Sequence, residues 1–573
     1  MVQPLATAQP GDATRRSGAG GHNLTRLWWL LTTAAAGIVG ILYFYRGFFF
    51  SGFSELQGDS GDGLLTLVVS RHWPLLPGSG LGWNDLGFYY PEPNTLGYSD
   101  TLLLNGILEV PQRLLGVDSL VWFQLTMIMV SLIGYCATVA FLRIGPRAPW
   151  PIAIATSLVA MFGCGLYFAS IHPQLLMFQL LPACALLVLL SQRTVSRRRG
   201  WAYGISAGLL FGLITYSAFY VGFLTLLGIA ILLLSLCGLT ALGRHSWLRL
   251  APVWQRGWTC VIGFALCLPV FLSTYGPAIA DGRERSIQEV VANSLEFRQL
   301  FRVEHSSLLW GPLIGISASG GDFGEVPTGP APVLLVASIA LLVWGGLRLR
   351  QLSNWGTLGM ASLITGLVLW LSPARVGDFF PWSQTIYRLP GGAAIRAISR
   401  VEVLATPVLA IGIALVLVAL LPTIPRSKVT PSMVAVLMVV LGLIVIEEVS
   451  LSDRQVLDTA LLTDLEQLSA PPPQCQSFAL TSTIDPTDVS RFAMVTAASQ
   501  AAFIAQNTGV PTWNGYSGMT PDKWGLRSVG GSAYRQNALQ WGTDHQLLDS
   551  ACGLDLATRS WLDPNQFNAY LRH

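Results

Sequence analysis

The sequence predicts a mostly α fold: a polytopic membrane bundle of about 11 transmembrane helices, with interfacial helices in the first outward loop and a small C-terminal α/β extracytoplasmic domain. Three observations predict it. Of 573 residues, 52% are hydrophobic and only 11% charged, against roughly 25% charged in a soluble domain. Long apolar runs recur from residue 27 to residue 450. Beyond 450 the runs stop, and Asp, Ser, Thr, Gln and Asn take over.

The first 25 residues are rich in Gly, Ala, Thr and Pro and read as a disordered cytoplasmic tail. No cleavable signal peptide is expected before the first span, which is too long and lacks a small-residue cleavage site. A transmembrane domain is expected over 26–450. Its candidate spans are 27–45, 119–142, 150–169, 173–190, 201–217, 219–242, 258–275, 331–348, 354–372, 402–422 and 432–450, each near the ~20 apolar residues a helix needs to cross.

The placement of charge is an independent check on that count. With a cytoplasmic N-terminus, the inside segments carry 16 Lys and Arg and one acidic residue, Asp12, the bias that orients spans in a membrane. An odd number of spans then puts residues 451–573 outside, together with the loops 46–118, 276–330 and 373–401. The net charge of +3 is small and unclustered, so no nucleic-acid partner is expected.

In the first outward loop, 63–73 and 100–116 have helical apolar spacing broken by polar residues, as suits helices lying in the interface plane. Between them lies a loop rich in Gly, Pro and aromatics. The loop as a whole gathers Asp59, Asp62, Tyr89, Tyr90, Tyr98 and Asp100. Carboxylates and aromatic faces suit a sugar, whose C–H faces stack while its hydroxyls hydrogen-bond; the plainer alternative is two helix-capping aspartates and an aromatic belt.

Residues 451–573 contain short runs such as SFALTS, compatible with strands or helices of a small domain. Six of the eight cysteines sit inside apolar runs and need no further explanation. The other two, Cys475 and Cys552, form a disulfide in an oxidising compartment or stand as two free thiols. The stretch 511–524, with Trp513, Tyr516 and Trp524, either closes over an acceptor or only braces the bundle.

One span, an acidic outward loop with two surface helices, further spans and an outward C-terminal domain resemble the GT-C superfamily of polyprenyl-phosphate-sugar-dependent glycosyltransferases. More narrowly, GDSGDG (58–63), YYPEPNTLGYSD (89–100), HPQL (172–175) and NGYSG (514–518) are similar to motifs of bacterial multispanning proteins of that kind. The resemblance implies an inverting transferase in the bacterial inner membrane, N-terminus cytoplasmic and C-terminal domain periplasmic. It would take sugar from a polyprenyl-phosphate carrier to a glycan, lipid or protein acceptor of the cell envelope.

Under that resemblance a first-loop aspartate is the general base, a role for Asp59 or Asp62 with Asp59 preferred. Two residues separate them, where the family has its acids adjacent or one apart. The phosphate needs a cation, for which Arg283, Arg285, Arg396 and Arg400 are candidates; snorkelling at span ends is the alternative. Arg396 and Arg400 are preferred because i,i+4 spacing would place both on one helix face, with Glu402 as a possible structural partner. His172 either reaches the cavity or only turns the chain before Pro173, and His305 is a weaker candidate.

No paired His/Cys motif points to a bound transition metal; a divalent ion, Mg or Mn, held by Asp59, Asp62 and a donor phosphate is the one cofactor the pattern allows. Two other classes compete. A lipid-linked saccharide transporter or flippase would put charge near the bilayer midplane, which these spans avoid, and a non-catalytic scaffold of envelope polymer assembly would need no base at all.

Overall fold

The computed structural model describes residues 18–242, 251–281, 285–303, 307–314, 329–423, 430–452 and 456–573 except 486 and 489, with side chains 18–23, 251–255 and 423 not described. Each of the 11 expected spans is helical over most of its length. Seven helices are long and apolar enough to cross a membrane, or eight if the bent pair Arg256–Ala265 and Leu268–Ala280 is one span. The count of 11 is therefore not reached by this measure: Pro332–Leu347 and Pro431–Glu447 are shorter apolar helices, and the 21-residue helix Arg197–Ser217 begins on three arginines. The first helix starts at Gly18, inside the stretch expected to be a disordered tail, and the rest of that stretch lies outside the described residues.

Small residues let these helices approach closely, since van der Waals packing rather than the hydrophobic effect drives association in lipid. A Cβ at Gly208 would collide with the carbonyl of Cys260 on the neighbouring helix. Elsewhere, Gly359 and Gly412 interlock the helices Asn354–Leu371 and Glu402–Leu420, where added Cβ atoms would meet Leu415 and Leu363 at 2.8 and 2.9 Å.

The C-terminal part contains a three-stranded sheet. Ser477–Ser482 runs parallel to Ala551–Asp555, which pairs antiparallel with Ser560–Leu562. Both of the longer strands are buried almost throughout, the reason SFALTS lacks the alternation of a one-faced strand. Cys475 and Cys552 are bonded, with Cα atoms 5.5 Å apart, closing off one of the two alternatives above.

This part is not separable from the first loop. Glu55–Gln57 pairs antiparallel with Val456–Asp458, and the helix Arg491–Thr508 packs along Asp62–Ser79. The expected interfacial helix at 63–73 is thus corrected: Gly63 to His72 are buried on every side, covered by Arg491–Thr508 on one flank and Leu103–Leu114 on another. Arg71 pins the seam. Only 4% exposed, it reaches Glu466 Oε1 at 3.5 Å and Asn507 Oδ1 at 3.2 Å, with its guanidinium 5.0 Å from the Phe503 ring centroid.

Candidate functional site

The loop after strand Glu55–Gln57 is coiled so tightly that only glycine fits. Gly58 has φ +110°, and a Cβ there would lie 2.6 Å from the Gly63 Cα. Asp59 Oδ1 accepts the amides of Gly61 and Gly63 at 3.0 and 3.1 Å, the side-chain-to-backbone bond typical of a turn aspartate. Burial raises its carboxyl above the usual range against the pull of those amides. Asp59, the preferred base of the sequence reading, is therefore the residue that ties the loop, and it does not line the cavity described below.

Asp62 does line that cavity. Its Oδ2 lies 3.1 Å from His172 Nδ1. Burial alone would raise its carboxyl, but His172, the Tyr516 hydroxyl and the charge of Arg400 together hold it well below the usual carboxylate range. His172 stands behind Asp62 rather than in the cavity, at the turn where its amide donates to Ala169 O and its carbonyl accepts from Leu175. The same turn supports the loop, since Gln57 Nε2 donates to Ser170 O at 2.9 Å.

The cavity has a volume of about 1390 Å³. Part of its lining is apolar: Phe219, Phe223, Phe264, Phe271, Tyr275 and Ile279. The polar part of the lining comes from the first loop, from residues 285–400 and from the C-terminal part. Arg285, Arg396 and Arg400 belong to it, with Asp62, Tyr98 and Asp100. Arg283 and His305 lie outside the described residues.

Arg400 is 6% exposed, sits 5.1 Å from the Tyr220 ring centroid and acts electrostatically on both Asp62 and Asp100. The helix face expected for Arg396 and Arg400 is absent. Residues 392–394 and 398–401 are separate 3₁₀ turns, because the Tyr220 hydroxyl accepts the amides of Arg396 and Ala397 at 2.8 and 3.1 Å, bonds that a helix would satisfy internally. Both side chains reach the cavity all the same. Arg285 is held by its amide on Ala393 O and by a 3.6 Å ion pair with Glu289.

Asp100 Oδ1 accepts the amide of Phe219 at 2.7 Å. Desolvation pushes its carboxyl up to about 6 against that bond and Arg400. Tyr89 is fully buried, with its ring 4.8 Å from Trp524 and its hydroxyl 3.4 Å from Met519 O. Tyr90 does not line the cavity: its amide donates to Thr512 O and its carbonyl accepts from Trp541, so it belongs to the seam between first loop and C-terminal part.

Four residues of NGYSG, Gly515 to Gly518, also line the cavity. Asn514, buried, receives the amide of Leu480 at 2.8 Å and donates to Tyr534, which fixes the loop to the sheet. Gly515 then passes over the Tyr89 ring and Tyr516 reaches Asp62. The sequence reading gave this stretch to bracing as readily as to substrate closure; the signal available was one tyrosine between two glycines. Arg388, Arg491 and Arg527, which also line the cavity, had no motif to mark them.

Asp59 turns its Oδ1 onto its own loop, and Asp62 lines the cavity. Among the described residues no group of three or more His, Cys, Asp or Glu could hold a metal.

Fold and cavity define a class: a helical membrane protein with an arginine-lined, partly apolar cavity to which the C-terminal part contributes. No protein-family model and no curated protein matches the chain. Solved structures similar to it include the Archaeoglobus fulgidus oligosaccharyltransferase in its apo form, at 12% identity and TM-score 0.43 over 85% of this chain and 64% of that one. Another is oligosaccharyltransferase AglB of the same organism, in complex with an inhibitory peptide and a dolichol-phosphate, at 10% identity and TM-score 0.46 over 92% and 69%. A third is the Archaeoglobus fulgidus enzyme with Zn and sulfate, at 11% identity and TM-score 0.36. The chain spans about two thirds of the length of the first.

Proposed function

We propose that the protein is an inverting GT-C-type glycosyltransferase that moves a sugar from a polyprenyl-phosphate carrier to an envelope glycan, lipid or protein on the periplasmic side. The observation that carries this reading is that Asp62, Arg396 and Arg400 line the same cavity as an apolar set, Phe219, Phe223, Phe264 and Phe271. A lipid phosphate has those two halves, a charged head for guanidinium groups and a tail for Phe219, Phe223 and Phe271.

The chemistry follows from the arrangement. Arg396 and Arg400 hold the phosphate and stabilise its charge as the sugar C1–O bond to phosphate breaks. The acceptor hydroxyl attacks C1 from the opposite face, forming the new C–O bond with inversion, and its proton passes to Asp62. The carrier leaves as polyprenyl phosphate. Because His172, Tyr516 and Arg400 keep Asp62 ionised, its larger contribution is to orient the hydroxyl and to face the positive charge developing at C1, with proton transfer late.

Orientation is supported by the bias of Lys and Arg toward alternate loops and by the Cys475–Cys552 bond, which suits an oxidising compartment. The domain organisation 1–25, 26–450 and 451–573 goes with that reading, the last segment capping the site. The test is transfer from radiolabelled polyprenyl-phosphate sugars to envelope extract by the purified full chain in nanodiscs. Asp62→Asn is expected to abolish transfer while carrier binding persists; undiminished transfer by Asp62→Asn overturns the assignment. Movement of labelled carrier across the bilayer without glycosidic bond formation would establish the transporter instead.

A further inference from the structure

The charges of the cavity do not balance around a single lipid-linked phosphate. Arg285, Arg388, Arg396, Arg400, Arg491 and Arg527 line it, against Asp62, Asp100 and Glu289. Glu289 pairs with Arg285, and both aspartates lie in the field of Arg400. A sugar phosphodiester carries one negative charge, which Arg396 and Arg400 are enough to meet. Among the described residues, Arg491 and Arg527 have no carboxylate partner in salt-bridge contact.

These two arginines line the cavity together with Met494, Val495, Tyr516 and Ser528. Both belong to the C-terminal part and both are exposed, and the segments that carry them touch: Ser528, next to Arg527, lies 3.4 Å from the Met494 sulfur, one turn along the helix from Arg491. That helix is registered on the loop of Asp62, through Ser60 Oγ to Thr496 Oγ1 at 2.9 Å and Ser499 Oγ to Gly61 O at 3.0 Å. Val495 packs against Gly61, the residue before Asp62. Arg491 is four residues nearer the helix start, about 6 Å along the axis at 1.5 Å per residue, close to the length of one sugar unit.

We infer that Arg491 and Arg527 form an anion subsite for the acceptor, so that the preferred acceptor carries a carboxylate or phosphate about one sugar away from the hydroxyl that attacks. The inference rests on the transferase reading and adds the acceptor's chemical class to it. Two guanidinium groups bind such a group by paired, charge-assisted hydrogen bonds and draw acidic glycans in from solvent. A neutral glycan would leave both without an anion.

The experiment is equilibrium binding to the full chain in neutral-lipid nanodiscs. The probes are a uronic-acid oligosaccharide and its carboxyl-reduced counterpart, and a phosphate-bearing oligosaccharide and its dephosphorylated counterpart. At least one acidic form is expected to bind about tenfold more tightly than its neutral partner, with Arg491→Gln and Arg527→Gln each removing the preference and leaving polyprenyl-phosphate affinity unchanged. Melting curves establish that the variants are folded, as expected for exposed positions. Equal binding of acidic and neutral forms in both pairs overturns the inference, as does weaker polyprenyl-phosphate binding by the variants, which would assign the arginines to the carrier phosphate itself. Acid-selective binding with no transfer to any acceptor would keep the subsite and remove the transferase reading; transfer to neutral glycans alone would do the reverse.

Discussion

The carboxylate of Asp62 and the imidazole of His172 meet at 3.1 Å between Oδ2 and Nδ1, joining the loop after the first helix to the turn before residues 173–180. The contact leaves the rest of Asp62 facing the cavity. His172 is thus a positioning residue, since it touches Asp62 and not the cavity. His172→Ala is expected to lower kcat for transfer about 10- to 100-fold, the cost of a misplaced reacting group, with little change in the carrier KM. His172→Gln, which keeps a donor, is expected to recover part of that loss.

Asp59 and Asp62 are expected to separate by phenotype. Asp59→Ala removes the acceptor for the Gly61 and Gly63 amides and should cost about 1 kcal/mol of stability, read as a lower melting temperature. Asp59→Asn keeps an oxygen at the same place, so transfer should survive it. Transfer lost in Asp59→Asn and kept in Asp62→Asn would reverse the two roles.

Arg400 offers a charge test and a geometry test together. Arg400→Lys keeps the charge and loses the planar fork, so the carrier KM should rise about tenfold. Arg400→Gln should raise it further, because the neutral side chain also leaves Asp62 and Asp100 without their shared cation. Kinetics at fixed acceptor and varied carrier would read both effects.

Asp100 makes carrier affinity depend on pH. Its carboxyl, pushed up to about 6, is ionised above that value, placing a negative charge beside the proposed phosphate site, and neutral below it. The carrier KM is expected to fall as pH drops through about 6, and Asp100→Asn should flatten that step. The stability sign agrees: a carboxyl raised in the folded state binds protons more tightly there than in the unfolded chain, so its contribution weakens as pH rises from the ordinary aspartate range through 6.

Breaking the Cys475–Cys552 bond, which spans 77 residues, should cost about 2–5 kcal/mol in the C-terminal part. The paired Cys475→Ser and Cys552→Ser variant would show this in a denaturant melt. Because Asn514 and Tyr516 hang from the same sheet, transfer should fall before the membrane helices unfold.

The helical segments were legible because a bilayer imposes a length and a composition that no tertiary contact has to supply. All 11 apolar runs became helices, while Pro332–Leu347 and Pro431–Glu447 came out shorter than spans. The acidic loop was legible too, but not the division of labour within it. Asp59 and Asp62 are alike as letters; which one caps the loop and which faces the cavity depends on Gly58 at φ +110° and on a histidine 110 residues further along the chain. Arg396 and Arg400 were found for a reason that did not hold, since the Tyr220 hydroxyl breaks the helix their spacing implied.

By itself, then, the sequence determined a membrane protein, its helical segments, the asymmetry of its loops and the neighbourhood of its acidic residues, all consequences of composition and local periodicity. Tertiary structure alone decided which carboxylate meets the cavity, that Cys475 and Cys552 bond, and that arginines from four separate stretches of chain line one space. The reason is physical: burial, pairing and cavity shape depend on residues hundreds of positions apart, brought together by the strand pair of Glu55–Gln57 with Val456–Asp458 and by the packing of Arg491–Thr508 against Asp62–Ser79.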